Sequence, residues 1–574
     1  MKKEVLKTDL LIVGGGAAGS YAAVTARRED PELDITVIEK AHIDRSGCLA
    51  AGINAINAYL NPGETPGSYL HYVKDDSYGL VRDDLVYSIG QGLNRVTEEV
   101  ESWGLEILKD EDGNYLKRSS RSIKINGENF KPILARKVRK SRIRILNKTA
   151  ALNYIVQDNR VCGVFALNLK EDKFYTIKAK VVICTTGGAA GIYKPNNRGQ
   201  AKHKMWYPPF NTGAGYAMGI RAGAEMTTFE MRFVALRVKD VIAPTGSFAF
   251  AGGRQINSQG EEYLKKFSRI TTSLRLFATV EENRKGRGPC YLDLGHLDLD
   301  KKEKLARSLL GMCPGMVLKW EDQDLDLSEL KVEIEGTEPY IVGGHCQSGY
   351  WIDSNRRTTL PGLYAAGDVA GGAPKKYVTG AFVEGEIAAR SAVEELKKLP
   401  QNFLELNITE LIANEYNRVS SFLNREEGLE AEVLEDKLQQ IMEIYAGGRS
   451  QYYRLEAEKL LMARRKLNEL KAETVNLKAD TSRELLAVQE VIERIEVAEV
   501  LVEHLLYRKE TRWPGYQSRV DFPDRKKEWR KFVNSRLRTE NNELEIIERK
   551  YKSLGDYAAF KDYDQADFYL EYNL

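Results

Sequence analysis

The chain has 574 residues, 85 basic against 83 acidic, for a formal net charge of +2, which is length enough for several domains or one large domain with insertions. So even a balance gives no global field for nucleic acid or an anionic membrane, and no apolar run approaches the roughly 18 residues that span a bilayer. The first strand begins within ten residues of Met1, which leaves no room for a signal peptide, so a cytoplasmic protein without transmembrane segments is expected. Six cysteines, Cys48, Cys162, Cys184, Cys290, Cys313 and Cys346, lie outside any Cys-x-x-Cys spacing and the six histidines are scattered, so no iron–sulfur or zinc site is expected in the chain.

The apolar run Leu10–Val13 feeds into Gly14-Gly15-Gly16-Ala17-Ala18-Gly19, a helical stretch follows from Ser20 to Arg28, and a second apolar run, Leu33–Ile38, ends in Glu39. Strand, glycine turn, helix, strand and acid in this order are what a dinucleotide requires. Gly14 permits the tight turn, Gly16 the approach of a pyrophosphate, and Gly19 close packing of helix on sheet, while Glu39 can accept from a ribose hydroxyl. Residues 41–60 crowd small side chains around Asn54 and Asn57; this stretch reads either as a segment lying against a flat cofactor or as a glycine–alanine loop with turn-forming asparagines. Residues 82–106 have helical spacing. The basic run from Arg136 to Arg144 lacks interleaved aromatics, so it reads as a solvated helix end entering a strand rather than a nucleic-acid patch.

Strands are expected at Leu152–Val156, Val161–Leu167 and Tyr175–Lys178. Val181–Cys184 is a buried strand that runs to the pair Gly187-Gly188. Trp206 then precedes a glycine-rich turn into a small-residue helix, and can be a core aromatic or a flavin-side one. From about Phe233 to Tyr340 the glycine-and-strand pattern stops, as an inserted domain would make it. It returns at Pro361–Asp368, a strand ending in Gly367-Asp368, with a helix opening at Gly380–Glu386; an acid there can bind the ribityl chain of FAD, with the helix N-terminus toward flavin oxygens. Phe403 onward reads as mostly helical, with a long helix over Tyr453–Arg508, a break at 510–516 and another helix from Asp521 toward Trp529.

Taken together, these segments resemble the succinate dehydrogenase/fumarate reductase flavoprotein superfamily over nearly the whole length. Within it the chain is most similar to the α subunits of adenylylsulfate reductases. The residues that carry this are Asn54–Asn57, Ile125–Glu128, Trp206-Tyr207-Pro208 with Phe210–Gly213, Arg232-Phe233 with Arg237, and Glu338–His345. Succinate and fumarate enzymes have His-Pro-Thr where this chain has Arg232-Phe233-Val234, and an arginine proton shuttle about where Thr271-Thr272 stand. Their flavin-attaching histidine falls near Gly47. The resemblance implies an α/β fold, with a Rossmann-like FAD-binding domain over residues 1–233 and 341–398, an inserted α+β capping domain over 234–340 and a C-terminal helical domain over 399–574.

It also implies non-covalent FAD, contacted by Gly14, Gly16, Ala18, Gly19, Glu39, Lys40, Ser46, Gly52, Asn54, Gly187, Gly188, Trp206, Asn211, Gly367, Asp368 and Glu384. The implied reaction is reduction of adenosine 5′-phosphosulfate (APS) to AMP and sulfite through a flavin N5–sulfite adduct. Arg237 would stabilise the anionic oxygens and His345 would be a second donor or acid, with Asn57 and Glu128 as further polar groups. A buried salt bridge for Arg237 and a satisfied core histidine for His345 are the structural alternatives. No metal is expected, and electrons are implied to come from a ferredoxin-like iron–sulfur β subunit with [4Fe–4S] clusters. Two rival readings remain: a C4-dicarboxylate oxidoreductase or amino-acid oxidase of the same superfamily, using Arg237, Arg275 and His296 on carboxylates, and a non-catalytic electron-transfer or assembly flavoprotein.

Overall fold

A computed structural model describes residues 1–196, 205–241, 243–322, 330–557 and 560; the end of the expected C-terminal domain, 561–574, lies outside them. The core is a seven-stranded mixed sheet. Lys2–Val13 lies at its centre, with Ile35–Glu39 and then Arg144–Asn147 on one side and Lys173–Cys184 on the other. Leu363–Ala365 pairs in parallel with Lys173–Cys184, and Arg160–Asn168 and Thr149–Gln157 extend the sheet antiparallel. Leu10 to Val13 are buried on both faces, as central parallel strands are, which accounts for an apolar run without alternation.

Register sets the ends of four parallel strands level: Val13 is opposite Ile38 and Cys184, and Cys184 is opposite Ala365. The expected nucleotide segments, Gly14–Gly19, Glu39, Gly187-Gly188 and Gly367-Asp368, therefore all issue from one edge of the sheet, where open α/β sheets bind ligands. Helix Ala17–Glu29 packs against this edge and against helix Tyr377–Leu396. The contact is close enough that a Cβ on Gly19 would lie 1.9 Å from the Gly14 carbonyl oxygen and one on Gly385 would lie 2.4 Å from that of Ala18, so glycine is required at both places.

Residues 236–336 hold a separate antiparallel sheet, in the order Leu236–Val238, Lys331–Gly336, Cys290–Asp293, Arg254–Ile256. The basic stretch behaves as expected, helix Phe130–Lys140 leading into strand Arg144–Asn147. Two expectations are corrected in the C-terminal part. The long helix is two, Ala457–Glu473 and Ser482–Tyr507, separated where Thr481 and Glu484 form a capping box that starts the second. No α-helix starts at Asp521: a single 3₁₀ turn, Lys527–Trp529, is followed by a hairpin of Lys531–Arg538 and Glu543–Lys550. Opposite charges face one another across that hairpin, Lys531 with Glu548 and Arg536 and Arg538 with Glu545, a pairing that favours strands. The hairpin also pairs with Met226–Thr227, so the chain's helical region ends by returning to the nucleotide-binding fold. Among the described residues no helix is long and apolar enough to cross a membrane.

A buried charge network fixes that return. Glu230 accepts from Arg508 Nε at 2.6 Å and meets His504 Nδ1 at 3.1 Å, and Glu510 bridges Arg508 and Arg512. Burial pushes the Glu230 carboxyl up, but the Arg508 charge and the His504 hydrogen bond together outweigh it and hold the group below the usual range. Glu230→Ala leaves Arg508 buried without its first partner and should cost about 3–5 kcal/mol, seen as a clear fall in melting temperature. Glu545→Ala, on the exposed hairpin, should change it little. Equal melting temperatures for Glu230→Ala and the parent would show that the network does not hold the tail.

Candidate active site

The dinucleotide turn is built around one carbonyl. Gly15 O accepts from Ser20 Oγ at 3.0 Å, from Ser46 Oγ at 3.3 Å and from Lys131 Nζ. Gly14 has φ +105°, and a Cβ there would lie 2.6 Å from Thr185 O. A Cβ on Gly16, in contrast, would meet nothing within 4 Å; the backbone at the start of helix Ala17–Glu29 is open on the side where a pyrophosphate would approach, and the cradle fits FAD. Glu39 is held by its own neighbours, Oε2 accepting from Gly15 N at 2.7 Å and Oε1 from Ala41 N at 2.8 Å. Lys40 pairs with Glu490 at 2.7 Å. Lys131 is a residue the sequence reading missed: burial pushes its ammonium down to about 8 despite Glu39 and Asp44, and in sequence it is indistinguishable from the solvated lysines around it.

At the other end, Tyr207 links two of the expected segments. Its hydroxyl donates to Asp368 Oδ2 at 2.8 Å and accepts from Gly188 N at 2.8 Å. Asn211 Nδ2 donates to Thr186 O at 3.2 Å. A Cβ on Gly344 would fall 1.8 Å from Asp368 Oδ1, so the 341–345 turn presses directly on this carboxylate, whose pKa burial raises. Glu384 is fully buried and accepts from Gly367 N and Lys376 Nζ, both at 2.9 Å; it holds the Gly367–Asp368 turn in place from behind. The helix expected from Gly380 begins earlier, at Tyr377.

Arg237 and His345 come together through the backbone. Phe233 N donates to Tyr340 O and Tyr340 N to Phe233 O, each at 2.8 Å, so the chain leaves and re-enters the nucleotide-binding fold at one point, with Arg237 just past the exit and His345 just past the return. Between them stands Trp206, its ring 5.1 Å from the Arg237 guanidinium carbon, 4.9 Å from the His345 ring and 4.6 Å from Phe233. Trp206 N donates to Tyr340 Oη at 3.1 Å, and Tyr340 in turn donates to Glu338, which fixes the backbone that carries the indole. Arg237 Nη1 donates to Leu236 O at 3.0 Å, Nε is buried without a partner, and among the described residues the side chain forms no ion pair. Burial pushes its guanidinium down to about 10. Among the described residues His345 Nδ1 also lacks a partner, and burial, then the charges of Arg237 and Lys375, push the imidazole down to about 3. The ring is therefore a neutral donor or acceptor at ordinary pH.

Asn57 and Glu128 are both exposed. Asn57 Oδ1 accepts from Arg118 Nη1 at 3.2 Å, and Arg118 is within electrostatic reach of Tyr377, whose ring is 5.6 Å from His345. Arg118 was not anticipated; nothing in its sequence neighbourhood marks it. Glu128 stands beside Gly52 and Gly311, and Asn54 Nδ2 donates to Ser308 O at 2.9 Å, so these residues meet the inserted region. Two of the three groups a dicarboxylate enzyme would use are engaged elsewhere: Arg275 Nη1 donates to Gln255 Oε1 at 3.0 Å, and exposed His296 meets Gly252 O at 3.1 Å.

An FAD binding domain family matches residues 9–381, and a fumarate reductase flavoprotein C-terminal family matches residues 435–558. The chain is 30% identical to adenylylsulfate reductase subunit alpha of Megalodesulfovibrio gigas over 95% of each chain. Adenylylsulfate reductase from Archaeoglobus fulgidus superposes with a TM-score of 0.91 at 32% identity, over 96% of this chain and 97% of that one. An adenosine-5-phosphosulfate reductase solved as a covalent adduct with sulfite superposes at 0.90, also at 32% identity and the same coverage.

The depressed pKa of His345 has a consequence for stability. Between about pH 6.5 and about 3 the unfolded chain carries a proton on this ring that the folded chain does not. The contribution is complete above the unfolded value and is lost as pH falls through that window. His345→Gln should therefore show a shallower fall in melting temperature between pH 6.5 and 4.5 than the parent. Parallel curves would mean that the ring takes up its proton in the fold.

Proposed function

Because the chain belongs to the α-subunit family of adenylylsulfate reductases, FAD-dependent flavoprotein oxidoreductases, we propose that it reduces APS to AMP and sulfite. The observation that carries this reading is a guanidinium without a carboxylate partner among the described residues, held against Trp206 and a neutral His345 at the end of an FAD cradle. In the reaction the bond between sulfur and the bridging oxygen breaks, AMP leaves with that oxygen, and sulfur gains two electrons. FAD, when bound, supplies the two-electron exchange. Gly14, Gly16 and Gly19 give its phosphates access to backbone amides, while Gly187, Gly188, Asn211 and the Tyr207–Asp368 pair line its other end. Arg237 holds sulfo or phosphate oxygens bidentately. His345 donates a hydrogen bond to the same anion, which by its charge favours a proton on the ring. Trp206 covers the site and excludes water. Asn57, through Arg118, lies at its margin, and Glu128 at the boundary with the inserted region.

The inserted region 234–340 is the capping domain in this reading, supported by its self-contained antiparallel sheet; 1–233 with 341–398 forms the FAD-binding domain and 399–574 the C-terminal domain. FAD is held non-covalently, since Gly47 offers no side chain for attachment. Electrons arrive from a partner subunit, as the relative's designation as an alpha subunit suggests. A ferredoxin-like protein with [4Fe–4S] clusters suits this role, because no cysteine spacing in the chain would hold a cluster. A cytoplasmic location accords with this partnership.

Two measurements test the reading. Acid precipitation should release all the flavin into the supernatant; flavin retained in the pellet would refute non-covalent binding. Arg237→Ala should lower AMP-dependent sulfite oxidation, assayed with an artificial acceptor, roughly a hundredfold, about 3 kcal/mol, as for loss of one preorganised donor. Arg237→Lys should fall between the two because it keeps the charge and loses the planar fork. Wild-type protein that ignores sulfite and AMP but reduces fumarate would transfer the site to the dicarboxylate reading.

A further inference from the structure

A second buried cation, within electrostatic reach of His345, stands on a strained turn. Lys375 and Tyr377 have φ of +62° and +53°, in the left-handed region that residues with a Cβ rarely adopt and that persists only where the surroundings over-determine it. Here they do. Tyr69 Oη donates to Lys375 O at 2.8 Å, and Lys376 N donates to Gly344 O at 3.1 Å. Lys376 Nζ is tied to Gly367 O, Ala370 O and Glu384. The turn is thereby locked to the two segments that carry Asp368 and His345.

What the strain presents is the Lys375 side chain. It is 6% exposed, with Nζ donating to Thr272 Oγ1 at 2.6 Å and paired with Asp76 Oδ2 at 2.8 Å. Asp76 is itself fixed, its Oδ1 accepting from Thr272 N at 2.9 Å and Thr272 Oγ1 at 3.2 Å. An ammonium has three N–H donors, and these two partners take two. Lys375 acts electrostatically on His345 together with Arg237, and Tyr377 from the same turn packs its ring 5.6 Å from His345. Arg237 and Lys375 thus bring two positive charges to one aromatic-walled site, with Asp76 the carboxylate that pairs with Lys375. The net positive charge that remains suits an anionic ligand.

We infer that Lys375 is a second contact for the anionic substrate, holding an oxyanion that Arg237 does not, and that Asp76 is its positioning residue. This rests on the proposed function for the identity of the anion, the sulfo group or the phosphate of APS. The sequence offered no sign of it: Lys375 is one of two adjacent lysines, and only the fold turns one toward Glu384 and the other toward Asp76 and Thr272.

The test uses FAD-loaded protein titrated with sulfite, AMP and fumarate, followed by flavin absorbance, for the wild type, Lys375→Met, Lys375→Arg, Asp76→Asn and Asp76→Glu. Lys375→Met should raise the dissociation constant of sulfite or of AMP by at least about tenfold with the FAD-to-protein ratio unchanged, and the ligand affected identifies the anion held. Lys375→Arg should retain most of the affinity. Asp76→Asn should weaken the same ligand by a smaller factor while leaving the other unchanged, and Asp76→Glu should recover part of it, a selectivity that loss of packing would not produce. Binding of both sulfite and AMP by Lys375→Met within about twofold of the wild type overturns the inference and leaves the APS reading standing. If Lys375→Met loses FAD, an unchanged constant in Asp76→Asn overturns it. If the wild type binds fumarate but neither sulfite nor AMP, the APS reading fails, and Lys375 is retained only if Lys375→Met weakens fumarate.

Discussion

The site depends on one pair of backbone hydrogen bonds, those exchanged by Phe233 and Tyr340. The intervening residues form their own sheet and also touch the rest of the chain where Asn54 meets Ser308 and where Thr272 meets Asp76 and Lys375. Clamping the connections together means that the last residues before the insertion and the first after it share one location whatever the inserted sheet does. Arg237 and His345 are the beneficiaries, more than a hundred positions apart in sequence and joined through Trp206. Beyond the clamp, Ile341 pairs with Ala189 and Gly343 N donates to Asp368 O at 2.8 Å, which seats the 341–345 turn against Asp368, where Gly344 has no room for a Cβ.

Electrostatics then gives that location its chemistry. Burying a guanidinium without a carboxylate is costly, and the same burial pushes the Arg237 pKa down to about 10. The shift still leaves the group charged at neutral pH. The imidazole responds to the same burial with the opposite outcome, because its usual value lies near neutrality and a shift to about 3 discharges it. One environment therefore yields a permanent cation and a neutral hydrogen-bonding ring side by side. Trp206 softens the cost through its π face, and an incoming anion would offset it further.

The C-terminal region has a mechanical part in this arrangement. Its long helix and terminal hairpin are bound to the nucleotide-binding fold through Glu230, which lies two residues before Arg232 and three before the Phe233 clamp. Arg232 is itself buried and donates to the carbonyls of Ala446, Gly447 and Tyr516. The residues leading into the clamp are thus anchored on both sides by charges that cannot leave their partners without large desolvation losses.

How much of this was legible beforehand follows from the range of the interactions. Gly14–Gly19, Glu39, Gly187-Gly188 and Gly367-Asp368 could be read because a dinucleotide turn is local: strand, glycine and helix are neighbours in sequence, and their periodicity reports burial directly. Resemblance extended the reading to Arg237 and His345 as members of one site, though the spacing of residues alone says nothing about their meeting. The terminal hairpin was misread as helix because its stability comes from cross-strand charge pairs and from pairing with Met226–Thr227, partners that no local window contains. Lys131, Arg118 and Lys375 were invisible for the same reason. A lysine or arginine looks alike in sequence whether solvated or buried, and its role is decided by what the fold sets around its charge: a carbonyl for Lys131, Asn57 for Arg118, and Asp76 with a strained turn for Lys375.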